Sequence, residues 1–348
     1  MTRRIRWGVF GSGGIARRRT IPEGILPASN AELVGVCGNN RAANISVAQT
    51  FNVRAFETSE ELLGANIDAV YIATPVHLHH DQVLMCAKAG KHILCEKPLG
   101  LTIAQAEEMV DGAKRAGVKL GVAFMMRFQA QHQVALRMIR AGKLGKPVYA
   151  RAQLSCWYPP MEDAWRQDFR RAGGGSLVDM GVHCIDLLEM FFGPVSSVFC
   201  ATKNLVHDYP PEDSAVVTLT FQNRALATVD TFFCIPDESS ENVLELYGSG
   251  GSIVAKGTIG QNSAGKMLAR FRRESHNYNA VQERHWEDGI EIDPVPVNTY
   301  RAEIEEFSQA LIDGRKPSVN GGAGLRSQVI LTACYESARI GKEVVVSA

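Results

Sequence analysis

Residues 5–16 read Ile5-Arg-Trp-Gly-Val-Phe10-Gly11-Ser-Gly-Gly-Ile-Ala16, an apolar run that passes directly into glycines. The run has the composition of a buried strand. The glycines fit the pattern G-x-G-x-x-A: Gly11 allows a tight turn, Gly13 lets the backbone approach a pyrophosphate, and Ala16 lets a helix pack closely on the sheet. An ordinary strand-to-helix turn is the alternative. The position between a strand and a helix favours a dinucleotide site, with phosphates meeting the free N–H groups of residues Gly11, Ser12, Gly13, Gly14 and Ile15.

The composition narrows the class of protein. With 348 residues, the chain has room for two domains with separate cores. Lys plus Arg and Asp plus Glu both number 37, so net charge favours neither nucleic acid nor an anionic membrane. The eight cysteines form no C-x-x-C pair, which is typical of reduced thiols in the cytoplasm. No apolar run approaches the ~18 residues of a membrane span. We therefore expect a cytoplasmic protein with a small-molecule substrate and no nucleic-acid or membrane partner.

Short apolar runs alternate with helical patterns as far as about residue 123. The runs cover residues 5–10, 32–37, 69–73, 92–95 and 119–123, and the helical patterns between them cover 42–51, 81–89 and 103–116. Such alternation predicts a doubly wound parallel sheet, with ligands at the carboxyl ends of its strands. We assign residues 1–123 to this α/β domain.

The remaining chain has a different pattern. Strand-like segments at 148–157, 198–202, 215–221, 225–235 and 243–248 predict a mainly antiparallel sheet, because most of them follow one another without helices. Residues 257–296 show little periodicity and are expected to form loops and edge strands. Two helical patterns, 300–313 and 324–341, precede a short strand at 344–346. We assign residues 124–348 to an α+β domain, whose last helices can pack back on the first domain.

A second motif suggests acid–base chemistry. Three glycines at 173–175 lead into Ser176-Leu-Val-Asp179-Met-Gly-Val-His183-Cys-Ile-Asp186. Ser176, with an acid three residues later, predicts a capped helix start. Asp179 and His183 then project from one face, where the carboxylate can set the tautomer and basicity of the imidazole. Such a histidine can take a proton from a hydroxyl near neutral pH. A solvated acidic stripe is the alternative, and the glycines favour a site because they permit close approach of a ligand.

Lys97 follows an apolar strand in Cys95-Glu96-Lys97-Pro98. Strand ends of this architecture point into the ligand crevice, where a lysine supplies a cation and donors to a ribose or a reacting oxygen. A surface lysine in a turn is the alternative. The nearby cluster His77, His79, His80 and Asp81 has a spacing too short and irregular for a tetrahedral site, so we expect no metal.

Taken together, these motifs resemble the Gfo/Idh/MocA family of nicotinamide-dependent oxidoreductases, which act mainly on sugars, cyclitols and related compounds. The resemblance covers nearly the whole chain. It is carried by residues 11–16, Ala73-Thr74-Pro75 with His79, residues 90–98, Arg127-Phe128, Trp165-Arg166 and residues 173–186. It implies an N-terminal Rossmann domain, a C-terminal domain with a large open sheet, and a homo-oligomer, a dimer or tetramer, formed through that sheet.

The resemblance also implies roles for individual residues. Lys97, Asp179 and His183 would form the catalytic group for reversible hydride transfer between a nicotinamide and a carbinol carbon. His183 would remove the hydroxyl proton, Asp179 would orient the imidazole or hold a neighbouring hydroxyl, and Lys97 would polarise the oxygen. These three residues and Arg127 would bind the substrate. The cofactor would also contact Thr74, Pro75, His79, Glu96, Lys97, Trp165 and Arg166.

The second strand ends in a departure from the family pattern. NAD-specific members carry an acid there, whereas this chain has Cys37-Gly38-Asn39-Asn40-Arg41. No carboxylate repels a 2′-phosphate, and Asn39, Asn40 and Arg41 can donate to it, so we expect NADP in preference to NAD.

Other functions remain open at this point. The chain could use a bound cofactor to cleave or epimerise glycosides, could reduce a non-sugar diol, or could be a non-catalytic nucleotide-binding regulator. The complete set Lys97, Asp179 and His183 favours the enzyme, because a protein that only binds has no chemical need of it.

Overall fold

The computed structural model describes residues 3–261, 265–272, 280 and 289–347. Its N-terminal part contains a six-stranded sheet in the order β3-β2-β1-β4-β5-β6, in which all neighbouring strands are parallel. The strands are β1 Ile5–Phe10, β2 Ala31–Cys37, β3 Arg54–Ala55, β4 Ala69–Ile72, β5 His92–Cys95 and β6 Leu120–Val122. The strand order reverses its direction at β1, which is the topological switch point where such sheets bind ligands. The predicted Rossmann sheet is confirmed.

Helical segments connect these strands. A π-helix, Ala16–Ile25, follows β1, and a 3-10 turn, Val76–Leu78, follows β4. The α-helices are α1 Arg41–Phe51, α2 Ser59–Gly64, α3 His79–Lys88 and α4 Ile103–Arg115. Strand β1 is buried on both faces, with Trp7 and Val9 in one cluster and Phe10 in another. This burial explains why the strand reads as a continuous apolar run rather than an alternating one.

The C-terminal part contains a nine-stranded sheet in the order β14-β13-β12-β11-β7-β10-β9-β8-β15. Only the β7–β10 pair is parallel among the described strand pairs of this sheet, so the predicted mainly antiparallel sheet is confirmed. The strands are β7 Pro147–Ser155, β8 Val195–Lys203, β9 Ser214–Phe221, β10 Leu226–Phe232, β11 Val243–Gly248, β12 Gly251–Lys256, β13 Lys266–Phe271, β14 Ile290–Glu291 and β15 Val344–Val345.

Residues 257–296 contain more strand than their weak periodicity suggests. Strand β13 pairs with β12 over its whole length, and β14 forms one edge of the sheet. The parts of this prediction that concern residues 262–264, 273–279 and 281–288 lie outside the described residues.

Helices cover one face of the second sheet. The helices of the C-terminal part are α5 Ala130–Arg140, the short α6 Phe169–Ala172, a π-helix Leu177–Gly181 that continues as α7 Val182–Phe192, α8 Thr299–Ile312 and α9 Gly321–Ile340, with 3-10 turns at Met125–Phe128, Trp165–Gln167 and Asp237–Ser239. Helix α7 packs on β7, and α9 packs on β8. Helix α9 starts three residues earlier than predicted because the Asn320 side chain accepts a hydrogen bond from the Gly322 N–H group and caps it.

The last helices return to the N-terminal part. Trp7 of β1 packs against Phe307 of α8 with ring centroids 5.5 Å apart, and its indole N–H donates to the Ser308 hydroxyl at 3.2 Å. Gly121 of β6 forms an isolated bridge with Asn320, directly before α9. The two parts therefore pack through helices as well as through the chain connection. None of the described helices combines the length and the apolar composition that a membrane span requires.

Candidate active site

A cavity of about 740 Å³ lies at the carboxyl ends of β1, β4 and β5, and residues of the C-terminal part line its other side. It collects side chains from distant parts of the sequence. Of the predicted site residues, Arg41 and Arg127 do not line this cavity. The others do, and they are Gly11, Ser12, Gly13, Gly14, Ile15, Asn39, Asn40, Thr74, Pro75, His79, Glu96, Lys97, Trp165, Arg166, Asp179 and His183.

The glycine turn after β1 forms one wall of the cavity. Gly11 has a φ of +93°, and a Cβ atom there would lie 2.7 Å from the carbonyl oxygen of Ala73, so only glycine fits. In contrast, a Cβ atom on Gly13 or Gly14 would meet no atom within 4 Å. The backbone is therefore open to a ligand at Gly13 and Gly14, beside the start of a helix. This cradle fits the pyrophosphate of a dinucleotide.

Lys97 and Asp179 meet in the cavity although they are distant in sequence. The Lys97 ammonium donates to the carboxylate Oδ1 of Asp179 at 3.0 Å and to its backbone carbonyl at 2.5 Å. Arg166, which stacks on the ring of Trp165 at 4.3 Å, lies 3.2 Å from the same Oδ1. Burial by itself would raise the pKa of Asp179, but the charges of Arg166 and Lys97 hold that pKa well below its ordinary value. Asp179 is therefore ionised near neutral pH.

His183 is buried in the wall of the same cavity. Burial, reinforced by the charge of Lys97, lowers its pKa well below the ordinary value, so the imidazole is neutral near pH 7. The ring meets the edge of Phe124 with centroids 5.9 Å apart, and its Nδ1 atom has no hydrogen-bond partner among the described residues. The structure does not pair Asp179 with His183, because the carboxylate contacts two cations instead.

The segment that carries Asp179 does not begin as predicted. Ser176 has helical torsion angles and forms no capping hydrogen bond, since its hydroxyl donates to the carbonyl of Thr231 at 3.1 Å. A π-helical turn, Leu177–Gly181, follows, which is a conformation often found at functional sites. The prediction of a Ser176 cap is therefore wrong.

The glycines before this segment make room for protein atoms. A Cβ atom on Gly174 would lie 1.9 Å from the Tyr335 hydroxyl, and one on Gly175 would lie 1.9 Å from the backbone oxygen of Glu212. The prediction that these glycines admit a ligand is wrong at both positions. Neither contact left a signal in the local sequence, because Glu212 and Tyr335 are far away along the chain.

Buried polar groups organise the floor of the cavity. The hydroxyl of Tyr71 donates to the carboxylate of Glu96 and lies 2.9 Å from the Thr20 hydroxyl. His79 contacts the carbonyl oxygens of Thr74 and Pro98 through its two ring nitrogens, at 2.9 and 3.0 Å. These contacts tie the end of β4 to the end of β5, and therefore fix the position of Lys97. Tyr71 was missed by the motifs because it lies inside an apolar strand.

Arg41 lines a neighbouring cavity of about 500 Å³. There its guanidinium pairs with the carboxylate of Glu57 at 2.5 Å, and both side chains are largely exposed. Asn40, whose side chain accepts a hydrogen bond from the Ala43 N–H group at 2.9 Å, caps α1. Asn39 lines both cavities. The two cavities therefore adjoin each other at the end of β2.

Arg127 lies outside the main cavity. Its guanidinium donates to both oxygens of Asp186, at 2.7 and 2.5 Å, and the Asp186 side chain is buried. Burial raises the pKa of Asp186, and Arg127 opposes that shift. The pair joins the turn before α5 to α7. A role for Arg127 in substrate binding stays a prediction.

Comparison with known proteins identifies relatives for both parts of the chain. The family described as "Oxidoreductase family, NAD-binding Rossmann fold" matches residues 5–124, and the "GFO/IDH/MocA C-terminal domain" matches residues 132–254. The 1,5-anhydro-D-fructose reductase of Ensifer adhaerens is 30% identical over 97% of each chain. The D-xylose 1-dehydrogenase (NADP(+)) 2 of Haloferax volcanii is 28% identical over 97% of this chain and 98% of its own.

A solved structure has the same arrangement. The WlbA dehydrogenase from Bordetella pertussis, in complex with NADH and UDP-GlcNAcA, superposes with a TM-score of 0.83. It is 25% identical to this chain, and the match covers 99% of both chains.

Proposed function

Because the chain belongs to the GFO/IDH/MocA family of NAD-binding oxidoreductases, we propose that it transfers a hydride reversibly between a nicotinamide cofactor and a CH–OH carbon of a sugar, cyclitol or sugar derivative. We assign cofactor binding to residues 1–123 and substrate binding to residues 124–348. The substrate class is supported by the two curated relatives, which are a sugar reductase and a sugar dehydrogenase.

The observation that carries this proposal is the contact between Lys97 and Asp179. It joins the end of β5 to the segment that precedes α7, inside a cavity that also contains the neutral His183. A cation and a neutral base beside an open glycine turn are what oxidation of a hydroxyl next to a dinucleotide requires.

Each member of the group has a separate role in the proposal. When bound, the cofactor accepts or supplies the hydride. Lys97 donates a hydrogen bond to the reacting oxygen and stabilises its negative charge, while Asp179 holds Lys97 and Arg166 in place. His183 takes the hydroxyl proton. Since Nδ1 is buried, Nε2 is the nitrogen that we assign to this proton transfer.

For the cofactor we propose NADP in preference to NAD. The proposal is supported by the absence of an acid at residues 38–41 and by Arg41 at the second cavity. The pairing of Arg41 with Glu57 is a competing interaction, because a 2′-phosphate would have to displace that carboxylate. The relatives include proteins described with NADP(+) and with NADH.

The open face of the second sheet supports a homo-oligomer. Phe199, Val216 and Leu226 lie on the face opposite to α7 and α9, and each is about half exposed. Apolar residues in such positions are typical of an interface between subunits. Since all eight cysteines are free thiols, we also propose a location in the cytoplasm.

The test is turnover by the purified protein with NADP or NAD and a panel of aldoses, ketoses, inositols and anhydrosugars, followed by the absorbance of the reduced nicotinamide. We expect cofactor-dependent turnover that falls by at least about 10²-fold in His183→Ala, since general base catalysis contributes about that much. His80→Ala, at a half-buried histidine that does not line the cavity and is paired with Asp81 and Glu108, is the matched control and should retain activity. Binding of nucleotide without any turnover would overturn the proposal in favour of a regulator.

A further inference from the structure

The buried carboxylate of Glu212 lies behind the segment that carries Asp179 and His183 and has no part in the proposed chemistry. Glu212 precedes β9, and its side chain is 5% exposed. Its Oε1 atom accepts hydrogen bonds from the backbone N–H group of Leu177 at 3.1 Å and from the Tyr335 hydroxyl at 2.8 Å. Its backbone oxygen accepts the N–H group of Ser176 at 3.0 Å. Glu212 therefore satisfies the start of the segment that Ser176 fails to cap.

This arrangement requires very close packing. Gly174 and Gly175 are the positions where a Cβ atom would overlap Tyr335 and Glu212. The first N–H groups of a helix have no acceptor within it, and leaving them buried and unpaired is destabilising. Here the carboxylate of Glu212, which is held by the Tyr335 hydroxyl of α9, supplies the acceptor.

The capped segment leads directly to Asp179. This residue is the third of the π-helical turn, and both its carboxylate and its backbone carbonyl accept hydrogen bonds from Lys97. A shift of the segment start would therefore move both acceptors relative to Lys97, which is fixed on the other part of the chain. Loss of alignment by about 1 Å at such a site can reduce turnover about 10²-fold.

We propose that Glu212, held by Tyr335, is a positioning residue that sets the distance between Asp179 and Lys97. This inference rests on the proposed function of that site. Only one carboxylate oxygen is used, since Oε2 has no hydrogen-bond partner among the described residues. An amide in its place therefore retains the necessary acceptor.

The experiment compares Glu212→Ala, Glu212→Gln and Tyr335→Phe with the wild type. We expect Glu212→Ala to lower kcat about 10- to 100-fold, Tyr335→Phe to lower it less, and Glu212→Gln to stay within about threefold of the wild type. Cofactor affinity, measured by fluorescence titration, should change less than about twofold, because the glycine turn lies on the other part of the chain. This split between kcat and cofactor affinity distinguishes positioning from general damage.

Glu189→Ala is the matched control. Glu189 lies in the last turn of α7, half-buried, where its carboxylate accepts hydrogen bonds from the Val195 N–H group at 2.8 Å and from Arg326 at 3.1 Å. Its removal should lower the melting temperature as Glu212→Ala does while leaving kcat unchanged. A similar loss of kcat in both variants, or failure of Glu212→Gln to restore turnover, would overturn the inference.

Crystal structures test the same inference independently of turnover. The Lys97 Nζ to Asp179 Oδ1 distance should remain near 3.0 Å in the wild type and Glu212→Gln and should exceed hydrogen-bond range in Glu212→Ala. If Glu212→Ala does not fold, Tyr335→Phe provides the comparison through a smaller displacement of the same atoms. Unchanged positions of Lys97 and Asp179 in Glu212→Ala reject the inference. If the wild type is inactive but these atoms are displaced in the variant as expected, only the proposed dehydrogenase activity is rejected.

Discussion

Individual residues decide which cofactor this site accepts. Arg41 is a basic residue that lines the second cavity at the end of β2, and it is already paired with Glu57. We predict that Arg41→Ala weakens NADP about tenfold and NAD much less, since an exposed charge-assisted hydrogen bond to phosphate contributes about 1.4 kcal/mol. Glu57→Gln should strengthen NADP binding several-fold by freeing Arg41. Titration of both cofactors by calorimetry measures these changes.

Arg54→Ala is the control for this prediction. Arg54 is another exposed arginine near the rim, but its guanidinium stacks on Phe56 at 4.4 Å and does not line the cavity. Equal weakening of NAD and NADP by Arg41→Ala would show that Arg41 does not distinguish the two cofactors.

At the scale of residues, the sequence predicted the site residues that belong to a local motif. The glycine turn, Lys97, Asp179 and His183 all line one cavity. The partners of these residues were harder to predict. Asp186 lies 59 positions from Arg127, and Glu212 lies 35 positions from Leu177 and 123 from Tyr335. Contacts at such separations leave no periodicity in the sequence, so only the fold reveals them.

At the scale of elements, α5 holds the turn Met125–Phe128, whose Met125 and Met126 line the cavity. His132 of α5 donates from Nδ1 to the carbonyl of Met126 at 2.9 Å, and its Nε2 lies 3.1 Å from the Thr258 hydroxyl. Burial lowers the pKa of His132 to about 4. The folded state therefore keeps this ring neutral in a pH range where the unfolded chain is protonated.

This difference predicts how stability depends on pH. Between pH 6.5 and 4 the unfolded state binds more protons at His132, so stability falls as the pH falls through that window. At pH 5 the loss is about 2 kcal/mol relative to pH 8. We predict that His132→Asn, which keeps a donor for Met126 but does not titrate, is less stable than the wild type at pH 8 by a margin that shrinks by about this amount at pH 5.

Urea unfolding of both proteins at the two pH values measures this margin, and every titration common to the two cancels. A margin that does not change with pH would show that His132 is not buried as described. Helix α9 was largely predictable, because its buried residues recur every three or four positions. The start of α7 was not, since the π-helical turn depends on a cap from outside the element.

At the scale of the whole molecule, the sequence predicted both sheets but not the order in which their strands lie. Strand β7 lies between β10 and β11, parallel to one and antiparallel to the other, an order that no local pattern indicates. Strand β13 escaped prediction because its residues alternate weakly. The predicted open face depends on this arrangement, since helices cover only the other side of the sheet.

That face leads to the last prediction. Val216 pairs with Ala201 and Phe199 with Thr218 in neighbouring positions of β8 and β9, so these two apolar side chains share one face. The face also carries the ion pair between Arg151 and Asp230, at 3.0 Å. Apolar side chains on such a face are the kind that an interface between subunits buries, whereas the ion pair contributes little by itself.

We predict that the double variant Phe199→Glu and Val216→Glu is a folded monomer, because opposed like charges at an isologous interface repel each other. Light scattering after gel filtration should give a multiple of the chain mass for the wild type and the single-chain mass for the variant. Leu26→Glu, which adds one negative charge at an exposed apolar residue of the N-terminal part, should keep the oligomer mass of the wild type. An oligomer that survives the double substitution would place the interface on another surface.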